Sequence, residues 1–293
     1  MNIFLSDKKI ALDNSNGDIS FVSHAHADHL NGVKSKPQII STEETKLLGN
    51  LKGEIISLEN TKLLEAGHML GSKQLLVEQD GKITVYTGDL RLKSSIMFKG
   101  AEIPQVDELI IEATYGNPYF RFDSSEIVYS EIEKWVKENK NYNLLIGAYE
   151  MGKSQEVIKI LNEYASVIPV VNEKIANLSR IYNMFGKKLK FLEVGTPEAE
   201  EVMKDPFVAV VPMRHAKKYF AQRMADAFSR KTLAAAATGW IQKFRMNVDK
   251  GFSLSDHADF HDLKYYIENS GAKKVSFFCG DSSHLEKEFK SLL

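Results

Sequence analysis

Cysteine is almost missing from this sequence: Cys279 is the single one among 293 residues. One thiol closes no intramolecular disulfide and builds no zinc site from several thiolates, and such usage fits a reducing cytoplasm. Long apolar runs are missing as well. Stretches such as Val208–Met213 and Leu233–Ala237 fall far short of the ~20 residues that span a bilayer. The N-terminal MNIFLSDKKIALD has neither an extended apolar core nor a small-residue cleavage site, so no secretory signal and no membrane partner are expected. Neither sign of charge dominates: 38 Lys+Arg against 39 Asp+Glu leave a formal net charge of −1, which removes bulk basicity as an argument for nucleic-acid binding. The seven prolines are scattered, and no repeat, low-complexity tract or Pro/Gly-rich linker interrupts the chain.

With 43% hydrophobic and 26% charged residues, the composition is that of a folded, enzyme-sized protein with room for one large domain or two ordinary ones. The first part reads as short apolar runs between turns: Ile19–Ser23, Gln38–Ser41, Glu54–Leu58, Gln74–Glu78, Ile83–Tyr86 and Glu108–Glu112. Such runs predict strands of a sheet with a covered face. Asp80-Gly81 between two of them predicts a two-residue hairpin turn. After Tyr119 the texture changes. Ser124–Glu138 has apolar residues at helical spacing, followed by a strand (Asn143–Ala148), a helix (Lys153–Tyr164), a strand (Val167–Val171) and a helix (Ile175–Phe185). That alternation predicts a parallel sheet covered on both faces. Phe207–Pro212 and Thr232–Thr238 add strands, and past Gly251 come a helix around Asp262–Asn269, a strand Lys274–Cys279 and a short final helix. Residues 119–239 therefore read as an α/β insertion, flanked by 1–118 and 240–293 of a domain whose ends return to each other.

Three of the eight histidines fall within Ser23-His24-Ala25-His26-Ala27-Asp28-His29. His24 and His26 stand two apart and share a face of an extended chain, while a turn after them would carry Asp28 and His29 to a second, adjacent position. Imidazole and carboxylate are donors that zinc, manganese or iron would use. His68 follows on a glycine-flanked turn (Glu65–Ser72, EAGHMLGS), and Asp89 closes Tyr86-Thr87-Gly88-Asp89 at the end of a β-rich run. A carboxylate there could bridge two ions.

In their order these motifs resemble the metallo-β-lactamase superfamily: HxHxDH, a lone His and a strand-end Asp. The resemblance implies an α/β fold, a four-layer αββα sandwich with two metals at one edge. On that pattern His24, His26 and His68 hold one metal, Asp28 and His29 the other, Asp89 bridges them, and Asp13 matches the family's first, non-liganding aspartate. Two divalent ions, zinc first and manganese as the alternative, would lower the pKa of a shared water to give hydroxide and polarise the bond under attack.

The substrate is narrowed by Ile111–Gly116 (IEATYG), by the insertion that follows, and by Phe252–Asp259 (FSLSDHAD) after it. Together they look like the β-CASP branch of the superfamily, which holds nucleases of mRNA 3′-end maturation, ribonuclease J and the Artemis-like DNA nucleases. By resemblance the catalytic residues are Asp89, Glu112 and His257, with Glu112 orienting His257 and His257 protonating the departing oxygen as general acid. Glu112–Arg121 (EATYGNPYFR), Ala148–Gln155 (AYEMGKSQ) and Gly239-Trp240 also resemble compact bacterial and archaeal exonucleases, known as ligase-associated DNA exonucleases or mRNA 3′-end processing factors. What this implies is cytoplasmic, exonucleolytic phosphodiester cleavage in DNA repair or RNA processing, with single-stranded DNA or RNA held between two domains. One position departs from the pattern. The family ends its last motif strand in His-Gly, where this chain has Cys279-Gly280. A thiolate can take that metal-ligand position, or the cysteine is a small apolar filler.

Gly147–Ser154 (GAYEMGKS) also fits the P-loop pattern between a strand and a helix. No later strand ends in the magnesium-binding Asp an ATPase needs, and Glu150 would place negative charge in the cradle. The milder expectation is that Lys153 and Ser154, at a helix N-terminus, grip a substrate phosphate. Residues 119–239 hold 18 Lys+Arg against 15 Asp+Glu, the remainder 20 against 24, so basic charge gathers in the insertion. Arg214-His215-Ala216-Lys217-Lys218, Arg223 and Arg230-Lys231 interleave with Tyr219 and Phe220, which suits a single-stranded backbone with stacked bases and equally a solvated helix face. Two rivals stand beside the nuclease. A thioester or lactam metallo-hydrolase has no use for Glu112, His257 or the insertion, and a degenerate nuclease binds nucleic acid without cutting it.

Overall fold

Asp80 and Gly81 both take positive φ (52° and 72°) and carry the chain from one strand into the next with Gln79 opposite Lys82, the tight turn their sequence calls for. They belong to a mixed α/β structure, a computed structural model that describes residues 1–293. The chain opens with β1 (Asn2–Leu5), β2 (Lys8–Leu12), β3 (Ile19–Phe21), β4 (Gln38–Ile40), α1 (Glu43–Gly49) and β5 (Glu54–Ile55). Its five strands form one sheet in chain order, antiparallel only between β1 and β2. A second sheet follows with β6 (Thr61–Glu65), β7 (Lys73–Gln79), β8 (Lys82–Tyr86) and β9 (Glu108–Glu112).

The segment after it alternates: α2 (Ser125–Glu138), β10 (Asn143–Ala148), α3 (Lys153–Glu163), β11 (Val170–Val171), α4 (Glu173–Met184), β12 (Leu192–Glu193), α5 (Pro197–Met203), β13 (Val208–Pro212), α6 (Lys218–Phe228), β14 (Thr232–Ala237) and β15 (Lys250–Phe252). These six strands form one parallel sheet in the order β12-β11-β13-β10-β14-β15. The chain closes with α7 (Phe260–Ser270), β16 (Lys274–Phe278) and α8 (Ser283–Glu288), β16 adding to the second sheet in parallel beside β9.

Two compact units result, Met1–Arg121 with Asp256–Leu293, and Phe122–Ser255. The sequence reading ends the insertion at residue 239; β15 pairs in register with β14, so this unit runs on to Ser255. In the first unit the two sheets share a core, with Ile10, Leu12, Ile19 and Phe21 meeting Leu75, Val77 and Tyr86. On the other face of the second sheet α7 buries Leu263, Tyr266 and Ile267 against Val85, Leu109, Ile111 and Val275. Its spacing places these on one stripe, Asp259 caps its start by accepting from the Asp262 amide, and Gly271 ends it at φ 65°. Burying each such aliphatic side chain is worth about 1.5–3 kcal/mol.

Some elements differ from the sequence reading. The strand expected over Val167–Val171 shrinks to Val170–Val171, because Pro169 has no amide to donate to a ladder and the Val167 amide closes the end of α3 on Leu161. The β1–β2 hairpin, α1, β6 and α5 carry too few periodic residues to stand out, and the basic segment after Pro212 forms α6. No helix is long and apolar enough to cross a membrane.

Candidate metal centre

The strands of the first unit determine which side chains meet. β2 and β3 run parallel, so Asp13 and Ser23-His24 leave the first sheet at one edge. In the second sheet β6, β8, β9 and β16 all point the same way. Their C-terminal ends deliver His68, Asp89, Glu112 and Cys279 respectively. His26 precedes and His29 ends a single 3-10 turn, Ala27–His29, that bends the chain after the first two histidines. His257 comes from the segment before α7, held beside Asp89 by the Ala258 amide donating to the Leu90 carbonyl at 2.7 Å. Gly88 is required next to Asp89. Its φ is 54° and a Cβ would lie 2.5 Å from that of Ser23.

One carboxylate oxygen faces four imidazoles. Asp89 Oδ2 lies 3.5 Å from His24 Nε2, 3.4 Å from His29 Nε2, 3.9 Å from His68 Nε2 and 4.0 Å from His257 Nε2. Burial opposes ionisation of Asp89, but the imidazoles of His257, His29 and His24 hold its carboxyl well below the usual range. Its other oxygen, Oδ1, is buried without a hydrogen-bond partner. On one side, His26 Nδ1 is 3.1 Å from His24 Nε2 and 3.2 Å from His68 Nε2. Burial pushes His68 down to about 3, helped by the charge of His257, and burial with His29 lowers His24 as well. The His24 and His68 rings are therefore neutral, the form that ligates metal.

Their tautomers are set from behind. His68 Nδ1 donates to the Asp256 carbonyl at 2.8 Å, which leaves Nε2 as a lone pair facing Asp89. Asp13 does the same for two histidines. It accepts from His29 Nδ1 at 2.7 Å, from the Tyr86 hydroxyl at 2.8 Å and from Ser23 Oγ at 2.6 Å, and Ser23 Oγ in turn accepts from His24 Nδ1 at 3.0 Å. Burial disfavours the charged form of His29, yet Asp13 and Asp89 raise it to about 11. A tetrahedral zinc with nitrogen ligands at about 2.0–2.1 Å separates its donors by roughly 3.3 Å. The set His24, His26, His68 and Asp89 therefore fits a bound cation.

The other side is looser. Asp28 Oδ2 is 3.7 Å from His29 Nε2, but the Asp28 side chain is 81% exposed. Asp89, Glu112 and Cys279 place donor atoms within 4.8 Å of one another. Burial and the charges of Glu112 and Asp89 push the Cys279 thiol up to about 12, although part of the residue reaches solvent.

Glu112 and His257 form a pair. His257 Nδ1 lies 3.1 Å from both Glu112 oxygens, and Oε1 also accepts from the Leu90 amide at 2.6 Å. Burial opposes protonation of His257, but Glu112 and Asp89 raise it to about 9.

In the second unit Lys153 and Ser154 begin α3, and both are buried. The amides of Gly152, Lys153 and Ser154 donate inside the loop, to Gln155 Oε1, Met151 O and Tyr149 O, and the Ser154 hydroxyl donates to Tyr149 O at 2.7 Å. Lys153 Nζ is 3.9 Å from Glu156. In the basic stretch, His215 stacks on Phe220 at 4.8 Å and Tyr219 is 73% exposed.

Ser23, Tyr86 and the Asp256 carbonyl were not among the residues singled out from sequence. Ser23 directly precedes His24 and offered a signal; Tyr86 sits in an apolar strand and offered none.

No protein-family model matches the chain. It is 28% identical over 284 residues to a "Probable DNA ligase" of Opitutus terrae, covering 87% of this chain and 26% of that protein. A "Probable RNase MJ4" of Methanocaldococcus jannaschii is 29% identical over 216 residues, 56% of this chain and 50% of its own length. An "Uncharacterized protein in lig 3'region" of Acidianus ambivalens is 33% identical over 147 residues, which are 47% of this chain and 99% of that one. The chain thus spans half or less of the ligase and the RNase. A solved protein of unknown function from Enterococcus faecalis V583 shares the fold with a TM-score of 0.63 at 15% identity, over 93% of this chain and 77% of that one.

Proposed function

The chain belongs to the β-CASP nuclease branch of the metallo-β-lactamase superfamily, and from that premise we propose that it hydrolyses phosphodiester bonds of DNA or RNA. The observation that carries the reading is the convergence of four imidazole nitrogens on Asp89 Oδ2, with the Glu112–His257 pair beside it. A thioester or lactam hydrolase has no use for that pair. In this reading the first unit is the four-layer αββα sandwich, two β-sheets faced by helices. His24, His26 and His68 would hold one divalent ion, Asp28, His29 and Cys279 the other, and the Asp89 carboxylate would serve both. Two such ions, zinc the first candidate, supply an activated water and charge stabilisation at phosphorus.

The remaining work belongs to side chains. Glu112 accepts from His257 Nδ1 and so fixes the ring with Nε2 toward Asp89. His257 keeps its proton at neutral pH and gives it to the departing oxygen. Asp13 holds His29 directly and His24 through Ser23. The basic, aromatic stretch Arg214–Phe220 suits a single-stranded backbone, and Lys153 with Ser154 stays a weaker contact because their amides are used within the loop.

The experiment incubates end-labelled single- and double-stranded DNA and RNA with the full chain, in zinc or manganese and in chelator. Metal-dependent shortening of at least one strand is expected; intact substrates under every condition would overturn the proposal.

A further inference from the structure

We propose that Cys279 makes the second metal position thiophilic, so that it takes soft ions such as Zn²⁺ and Cd²⁺ over Mn²⁺ and Mg²⁺. The inference rests on the two-metal reading above.

Backbone geometry fixes where the sulfur goes. β16 pairs with β9 through Phe278 opposite Glu112, so Cys279 is the first residue beyond the last rung. There the Ala113 amide donates to the Phe278 carbonyl and the Asp281 amide to the Ala113 carbonyl, folding the chain back on itself. Cys279 takes φ 50° and Gly280 φ 67°. A non-glycine residue in the left-handed region costs about 1–2 kcal/mol, a strain typical of functional positions. At Gly280 no side chain fits, since a Cβ would lie 1.9 Å from the Ala113 carbonyl oxygen.

The surroundings are not those of an apolar filler. Cys279 shares its 4.8 Å cluster with the carboxylates of Asp89 and Glu112, and its one side-chain contact at hydrogen-bond range is Thr114 Oγ1 at 3.6 Å. A second, independent observation concerns Asp89. Its side chain is 92% buried by area, since 8% is exposed, and Oδ1 has no donor at all. A buried carboxylate oxygen without a donor is costly, and a cation next to it removes that cost. A cation shared by Asp89 and the sulfur would give that carboxylate the partner it lacks, while Glu112 already accepts from His257 and the Leu90 amide, and of the donors at this position only the sulfur discriminates among divalent ions. Thiolate favours zinc, whereas manganese and magnesium favour oxygen. On binding, the Cys279 S–H bond breaks, the sulfur electron pair forms the bond to the ion, and the proton passes to solvent. Nothing is oxidised or reduced.

Titration of the metal-free full chain with Co²⁺ tests this by its near-ultraviolet absorption. A thiolate-to-cobalt charge-transfer band is expected in the wild type and lost in Cys279→Ser, with the far-ultraviolet circular dichroism of the two unchanged. Cys279→His should lower the preference for Zn²⁺ over Mn²⁺ by roughly tenfold. Wild-type protein that binds cobalt without the band overturns the proposal, whatever the variants do. Cleavage assays run beside it keep the two readings apart: a band without cleavage overturns the nuclease and leaves the thiolate site, and cleavage without a band does the reverse.

Discussion

The two sides of Asp89 are built to different standards. Toward His24, His26 and His68 the donors lie 3.1–3.2 Å apart along the chain of rings, His24 and His68 buried and His26 half-buried, with the His24 and His68 tautomers set by Ser23 and the Asp256 carbonyl. Toward His29 only the imidazole is held, by Asp13, while Asp28 stands in solvent and Cys279 carries a thiol pushed up to about 12. A preformed position meets an ion with little rearrangement. The other position is completed by the ion, which must order a carboxylate and displace a proton. One carboxylate serves both.

The largest effect should therefore come from the shared group. Asp89→Asn is expected to cut the cleavage rate by about a thousandfold or more, measured as end-labelled product formed per minute at saturating zinc. A variant with wild-type rate would remove Asp89 from the chemistry. Next come the residues outside the metal positions. His257→Ala should lower the rate by about 10²–10³-fold while the bound metal per chain, read by atomic emission, stays at the wild-type value. Loss of metal instead would make His257 a ligand and break the division of labour. Asp13→Asn reaches both sides from behind, His29 directly and His24 through Ser23, and it should weaken zinc affinity by about 10–100-fold in competition with a chromophoric chelator. The smallest effect is expected from Asp28→Ala: in the same competition the tighter zinc site keeps its affinity within about twofold, because the Asp28 carboxylate is exposed and approaches His29 rather than that site.

How much of this was legible in the sequence follows from the range of each interaction. His24, His26, Asp28 and His29 lie within six residues, and their turn is local, so the pattern itself carried the site. The Glu112–His257 pair spans 145 residues and the Tyr86–Asp13 bond 73, and no local pattern encodes a contact of that length. The first was reached by resemblance; the second was missed. The Asp256 carbonyl that orients His68 is a backbone group, which no residue type announces. Gly147–Ser154 shows the converse. Its residues match a phosphate loop, but whether the amides are offered or consumed depends on φ and ψ, and here Gly152, Lys153 and Ser154 donate within the loop. The hairpin at Asp80-Gly81 was legible because those two residues favour positive φ by themselves, whereas short strands such as Val170–Val171 exist only through pairing with neighbours distant in sequence.

The contrast between the two sides is tested most directly by titrating the metal-free full chain with zinc and following binding by calorimetry. Two successive steps are expected, the first at least about tenfold tighter and unchanged in Cys279→Ser, the second weakened in that variant. Two equal steps, or a first step that weakens when Cys279 is replaced, would contradict it.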